Sequence, residues 1–411
     1  LSTCSSPHPW VIVAVGFAAL ALSFTFRMIV GVAMPTWEQA LGWSRELISG
    51  NGAIGLVVMA ALFPLVGAIV DRIGARSVLV VGCTVLGVGM ALIGLMSAPW
   101  HLAVAYGLLG GFGFTLVGNT VVSVMVARAF EARRGLATGI ATSGATGGQL
   151  VLIPLIVVAF GAIGWRASFG VLAASFLALA LIAFVLLRGE RGAKRASDLG
   201  ERASFAQSLG VFVRDPGFHA LAAAFFVCGA TTTGLIETHF IPFAIACGFP
   251  PLPSALAYSV LAATNLAGMM LFGWLCDRYN RSVLLAVIYG VRGLVFFVPL
   301  VVGTDYATLL LFAVIAGLVE YATLPATAGL SAARYGVANL GKAMGVLMTA
   351  HSLGAALGVY AGGRVFVSYG SYDIAWIGGA LAALTAALVV LLATDPRHRA
   401  PGRRLAAPAG A

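Results

Sequence analysis

Charge is what this chain has least of. Only 9% of its 411 residues are charged, 60% are hydrophobic, and mean hydropathy is +1.01. A soluble domain carries roughly 25% charged residues. A water-soluble globule is therefore excluded, and the solvent for most side chains is lipid. Cysteine is scarce too. Cys4, Cys83, Cys228, Cys247 and Cys276 are scattered and form no C-x-x-C pair. That argues against disulfides or a metal site and for small buried hydrophobes. The opening "LSTCSSPHP" lacks a basic stretch and a cleavage site, so no signal peptide is expected. Catalytic signals are missing as well: there is no H-E-x-x-H and no G-x-S-x-G. "GVANLGKA" (336–343) fits G-x-x-x-x-G-K but ends in Ala343, without the magnesium-ligating hydroxyl, and follows no strand. Neither an ATP site, a cofactor nor an enzyme is expected.

What is present is apolar length. Twelve windows are long enough to span a bilayer as helices: 10–36, 46–70, 77–97, 99–127, 135–160, 165–187, 217–246, 252–275, 282–302, 305–333, 339–366 and 371–393. The long polar segment 188–216 separates the sixth from the seventh. Within it Phe205, Leu209 and Phe212 at helical spacing predict a short interfacial helix, broken at Pro216. With an even number of spans both termini share a side. That side carries 19 Lys and Arg, against Arg45, Arg166 and Arg364 opposite. The asymmetry predicts cytoplasmic termini. It also accounts for the net charge of +10 without a nucleic-acid partner. Arginine outnumbers lysine 22 to 2, the bias of a GC-rich bacterial genome, so a bacterial inner membrane is expected.

The chain repeats itself. Gly67, Asp71 and Arg72 recur 206 residues later as Gly273, Asp277 and Arg278. Gly135, Gly139 and Gly148 recur at the same offset as Gly341, Gly345 and Gly354. Two patterns with one offset predict two six-helix units, 1–187 and 217–395, joined by a basic linker (188–216) and followed by a tail (396–411). Helix-5 glycines Gly139, Gly144, Gly147 and Gly148, with Gly354, Gly358 and Gly362 of helix 11, have the small-residue spacing that permits close crossing between the halves.

"GAIVDRIGAR", with Gly67, Asp71, Arg72, Gly74 and Arg76, resembles the signature loop of the major facilitator superfamily. The resemblance covers the whole chain and implies a latch between the halves. The second copy, "GWLCDRYNR", keeps Asp277 and Arg278 but has Asn280 where Gly74 stands. "AFEARRGLATGIATSG" (129–144) is similar to the start of helix 5 in monocarboxylate transporters, matching at Phe130, Arg133, Arg134, Leu136, Ala137, Gly139, Ala141 and Gly144. "LGWSRELIS" and "GWRASF" also read like bacterial members of that group. Three features depart from it. Ala129 and Ala132 stand where an aromatic residue and a lysine are usual. The opening of helix 1 reads "SPHPW". Helix 8 lacks the usual Asp and Arg and offers only Asn265 at that depth.

The resemblance implies that helices 1, 4, 7 and 10 line a central cavity. The ionisable residues inside the apolar windows are few: Arg27, Glu237, His239, Arg292, Glu320 and His351. Arg27 lies eight residues before Pro35, and Glu237 five before Pro242 in the repeat-related helix. Their depths differ by about one turn, roughly 5 Å, close enough for an ion pair across the cavity. Arg27, Asn119, Ser123, Thr233, Glu237, His239, Asn265, Arg292 and Tyr321 are the candidate substrate-binding residues. Glu237 and Glu320 are the candidate proton carriers. Arg292 is expected either to pair with Glu320 or to reach the cavity, and His351 to be a packing histidine. The expected function is secondary active transport by alternating access by a monomer, as a proton-coupled symporter of small organic anions. The alternative is a proton-driven exporter of lipophilic or cationic compounds. A third reading, a non-transporting membrane sensor, fits the repeated latch loops poorly.

Overall fold

The computed structural model describes residues 8–130, 133–188 and 205–393. Among these, twelve helices are long and apolar enough to cross a bilayer, and there is no strand. Lipid dictates that choice, because every backbone N–H and C=O must be satisfied within its own segment. Spans 1 to 6 are Pro9–Leu41, Arg45–Gly67, Ala75–Gly94, Pro99–Ala129, Leu136–Ile163 and Trp165–Leu186. Spans 7 to 12 are Pro216–Ala246, Pro251–Arg278, Arg281–Val301, Tyr306–Tyr335, Asn339–Tyr369 and Asp373–Leu392. Pro9 and Leu392 lie on one side, here the terminal side; the other is the far side.

Five of the last six spans end 205 to 207 residues after their counterparts, and the helix of span 2, which runs on to Ile73, ends 205 before Arg278, so the offset seen in two motifs runs through the whole architecture. Spans 4 and 10 are both interrupted midway, at Gly118 and at Tyr321–Ala322. Wider π-helical turns occupy Ala103–Gly110 in span 4 and Ala230–Glu237 in span 7. Such turns and breaks leave backbone and side chains free to face a cavity.

The apolar core shows where the halves separate. One cluster fuses the first six spans with far-side residues of the last six, among them Ile236, Phe240, Phe296, Phe312 and Trp376. A second cluster, with Phe218, Phe225, Leu285, Leu330 and Leu347, is built from the last six spans and Phe212 just before them, towards the terminal side. The halves are thus joined on the far side and part on the terminal side. The interhelical glycines work differently from expectation. A Cβ at Gly144 or Gly148 would strike the backbone of Phe17 or Ala21 in span 1, and one at Gly354 or Gly358 that of Phe226 or Ala230 in span 7. The close crossings at these four glycines therefore lie within each half, not between halves.

The short helix forms at Phe205–Arg214, and span 7 begins at Pro216. Phe212 is buried, with its ring 4.8 Å from Phe218 and 5.1 Å from Tyr335. Residues 189–204 of the expected linker and the tail from 394 lie outside the described residues. Among the described residues Cys83, Cys228, Cys247 and Cys276 are in no disulfide.

Candidate functional site

Between the halves lies a cavity of about 930 Å³. It reaches from Arg27 to Gly67, Gly341 and Lys342, near the terminal-side ends of spans 2 and 11. Its first-half wall is largely apolar, with Phe24, Leu56, Met59, Phe63 and Phe114; threonines of spans 4 and 5 add hydroxyls.

Arg27 stands at the inner end. Span 1 holds it there through a 2.8 Å hydrogen bond from the Tyr106 hydroxyl to the Arg27 carbonyl, and Phe26 stacks on the Tyr106 ring. Its guanidinium lies 4.6 Å from the Phe24 ring centre and 5.6 Å from that of Phe114. Arg27 Nη2 donates to both Glu237 Oε1 and the Tyr321 hydroxyl, and Tyr321 donates to the same carboxylate oxygen. The pair expected from depth alone is therefore formed, and Tyr321, at the span 10 break, is its third member. A charge at mid-bilayer costs about 2.5 to 3.5 kcal/mol on insertion scales. Here a carboxylate, the Tyr321 hydroxyl and two aromatic faces offset that cost. Arg27 Nη1 makes no hydrogen bond among the described residues, Nε is likewise without a partner, and Glu237 Oε2 is buried and unpartnered.

Glu320 is fully buried behind this triad. Asn265 Nδ2 donates to its Oε2 at 2.9 Å, while Oε1 has no partner. Asn265 Oδ1 also accepts from the Tyr321 N–H at 3.3 Å. Asn265 therefore positions Glu320 and the span 10 break and does not line the cavity.

Arg292 differs from both alternatives expected of it. It neither lines the cavity nor meets the Glu320 carboxylate. Its Nη2 donates to the main-chain carbonyls of Val319 and Glu320, at 2.6 and 2.5 Å, closing the end of the first half of span 10. Nη1 reaches Thr231 Oγ1 at 3.2 Å and Cys228 Sγ at 3.3 Å. Carbonyls orphaned by the helix break require a donor, and Arg292 supplies it.

The remaining candidates divide. Asn119 and Thr233 line the cavity; Ser123 does not. His239 is displaced from its expected role. It is buried on the far side, with Nε2 at 2.9 Å from the Val359 carbonyl and Nδ1 at 3.3 Å from the Tyr372 hydroxyl. His351, expected to pack, lines the cavity instead, with its ring 5.2 Å from that of Phe225. No spacing signal separates these two histidines; only their faces around the helix do.

The far side is closed by residues read at first only as loop positives. Arg45 Nε donates to both oxygens of Glu38, at 2.8 and 2.9 Å. Its Nη1 donates to the Tyr372 hydroxyl at 3.0 Å and the Pro242 carbonyl at 3.4 Å, and its plane lies 3.7 Å from the Phe366 ring centre. Burial pushes the Tyr372 phenol up, against the opposing pull of Arg45, so it stays protonated. Beside this knot Glu46 takes bonds from Tyr360 and Arg364. Deeper, Gly31 lets span 1 touch span 7: a Cβ there would collide with the Thr238 carbonyl.

The loop residues are less tied. Gly74 has φ +84° and ends the span 2 helix. Arg76 donates to the Phe184 carbonyl, and Arg72 is exposed. Gly67 faces the cavity, and nothing lies within 4 Å of where its Cβ would be, so it makes no close helix approach here. The Asp71 side chain lies outside the described residues. Asp277 is exposed, and Arg278 lies over the Trp274 ring at 3.8 Å.

This architecture has relatives. The family model described as Major Facilitator Superfamily matches residues 16–298 and 266–410. Monocarboxylate transporter 11 of Homo sapiens is 30% identical over 365 residues, 85% of this chain and 75% of that one. An uncharacterised MFS-type transporter, YcxA, of Bacillus subtilis (strain 168) is 25% identical over 358 residues, 86% of each. The solved nucleoside transporter NupG superposes with a TM-score of 0.74 at 13% identity, over 93% of this chain and 98% of that one, a likeness of fold. The chain is a multi-pass membrane protein of the major facilitator superfamily, and within that family it resembles the monocarboxylate transporters.

Proposed function

We propose that the protein is a secondary active transporter working by alternating access, a proton-coupled symporter of small organic anions of the monocarboxylate kind. One observation carries this reading. The cavity presents a cation, Arg27, at its inner end, and part of that guanidinium is left unbonded. In this reading the terminal side is cytoplasmic, as the basic loops imply, and the structure is the inward-open state. A substrate carboxylate approaches Arg27 Nη1 along a wall of aromatic and methionine side chains. It then competes with Glu237 for one guanidinium. A proton taken up by Glu237 ends that competition and leaves Arg27 to the substrate. Glu320, with its unpartnered oxygen, is the second candidate carrier.

The exporter reading draws support from the apolar wall. It is the weaker, because neither Glu237 nor Glu320 lines the cavity, whereas the cation does.

The test uses wild type, Arg27→Gln, Glu237→Gln and the double variant, each assayed for melting temperature and carboxylate affinity. A buried charge-assisted hydrogen bond contributes about 1.5 to 3 kcal/mol. Arg27→Gln should thus weaken carboxylate binding at least tenfold while the protein stays folded. If Arg27 and Glu237 are only a structural bridge, Arg27→Gln will instead destabilise the fold and the double variant will recover it. Undiminished affinity in Arg27→Gln would refute the proposal.

A further inference from the structure

The two walls of the cavity differ in chemistry, and the polar one continues past Arg27. On the second-half wall Thr233, Thr323, Cys228, His351 and Ser352 all face the cavity. Thr233 is 2% exposed, and its hydroxyl has no hydrogen-bond partner. A buried unpaired hydroxyl costs about 1 to 3 kcal/mol, so its place on a cavity wall points to a ligand atom. It lies one helical turn from Glu237. Further along span 7, Cys228 Sγ sits 3.3 Å from Thr323 Oγ1, with the His351 imidazole beside it. On the opposite wall Phe24, Leu56, Met59 and Phe114 offer an apolar face, and Thr115, Asn119, Thr142 and Thr146 lie around it.

We propose that His351 and Thr323, with Thr233 nearer Arg27, line a second subsite of this cavity that takes a neutral hydrogen-bonding group, a hydroxyl or keto oxygen, on the part of the substrate beyond its carboxylate. This deepens the function proposed above and rests on it. The group is neutral because the nearby cation, Arg292, is fully buried and holds the Val319 and Glu320 carbonyls. The imidazole and the two hydroxyls can serve as hydrogen-bond partners for such a group. The spacing is set by span 7. Glu237, which meets Arg27, and Cys228, which meets His351, are nine residues apart, at most about 13 Å along a helix whose turns widen over Ala230–Glu237. Two hydrogen bonds take up about 3 Å each. That leaves about 7 Å for the substrate between its polar ends, the length of a para-substituted ring. The body between them lies against Phe24 and Phe114. The substrate class is therefore an aromatic or similarly bulky monocarboxylate with a distal hydroxyl or keto group, and not a compact three-carbon acid.

The test compares phenylacetate with 4-hydroxyphenylacetate by calorimetry on purified wild type, Arg27→Gln, His351→Leu, His351→Gln and Thr233→Val. The readout is the ratio of the two affinities, so a general loss of binding cancels. One net hydrogen bond is worth about 2- to 10-fold. Wild type should prefer the hydroxylated acid by that factor. His351→Leu should bring the ratio to one, and His351→Gln should keep most of it. Thr233→Val should lower it, which preserves the test if His351→Leu does not fold. Equal affinities in wild type, or a ratio that survives in both His351→Leu and Thr233→Val, would overturn the second subsite. Binding of phenylacetate that persists in Arg27→Gln would instead overturn the Arg27 site, and this inference with it.

Discussion

The two halves of this molecule have one skeleton and opposite chemistries. The offset of 206 residues sets Phe114 against Glu320, Met59 against Asn265, Leu86 against Arg292, Leu22 against Cys228 and Ala145 against His351. In each pair the second half carries the polar residue. At the pair Arg27 and Thr233 the first half holds the charge instead. Gly31, the counterpart of Glu237, is where span 1 rests on the span 7 backbone. Among the described residues no Asp or Glu of the first half is buried, whereas the second half buries Glu237 and Glu320. A shared fold does not require shared work. The first half supplies an apolar wall and a cation, and the second supplies groups able to hold a proton.

The largest effect should come from removing that proton chemistry. If coupling resides in the second half, Glu237→Gln or Glu320→Gln proteoliposomes will exchange substrate yet fail to concentrate it under an imposed pH gradient. Full accumulation in both would break the division of labour. Next is Arg292→Leu, which installs the residue of the first half. Leu86 is at home in its apolar setting, but the same side chain in place of Arg292 would orphan two carbonyls. A loss of about 3 kcal/mol is expected, read as a fall in melting temperature; a neutral result would make the halves interchangeable there. A smaller effect is expected at the loops. Asp71→Asn should slow interconversion by about 2- to 5-fold, the rate equivalent of the roughly 0.3 to 1 kcal/mol of a charge at a helix end. Asp277→Asn, in the degenerate copy, should leave the transport rate unchanged.

The smallest prediction concerns the starts of spans 1 and 7. Span 1 opens on His8 without a side-chain cap, and span 7 on Asp215. Burial alone would raise the Asp215 carboxyl, but bonds from Arg334, Tyr335 and the Gly217 N–H hold it below its usual range. Its folded-state value is depressed. Its contribution is therefore complete above the unfolded value of about 3.9 and is lost as pH falls through the folded one. Asp215→Asn should flatten the acid limb of a melting-temperature profile and leave the neutral plateau slightly lower.

The fold was legible because lipid permits so few solutions: apolar length gave the spans, and a single offset gave their pairing. The meeting of Arg27 with Glu237 was also legible, since residue counts to Pro35 and Pro242 measure depth. Rotation about the helix axis was not. It decides that His351 faces the cavity while His239 is sealed away, and that Asn265 turns to Glu320. The break in span 10 was equally hidden, as "VEYATLP" has no helix breaker before Pro325. Without it Arg292 has no carbonyls to bind and would call for a carboxylate.

Arg45 has one further consequence. A guanidinium is a single rigid plane, so its bonds to Glu38, Tyr372 and the Pro242 carbonyl, and its stacking on Phe366, cannot be released one at a time. If the halves alternate as proposed, the far side would then open in one concerted step. A transporter that concentrates solute loses its gradient through any moment when both mouths stand ajar. If the protein works as proposed above, ruling out half-open states would make Arg45 a guard against leakage, protecting the stored gradient whichever solute is carried.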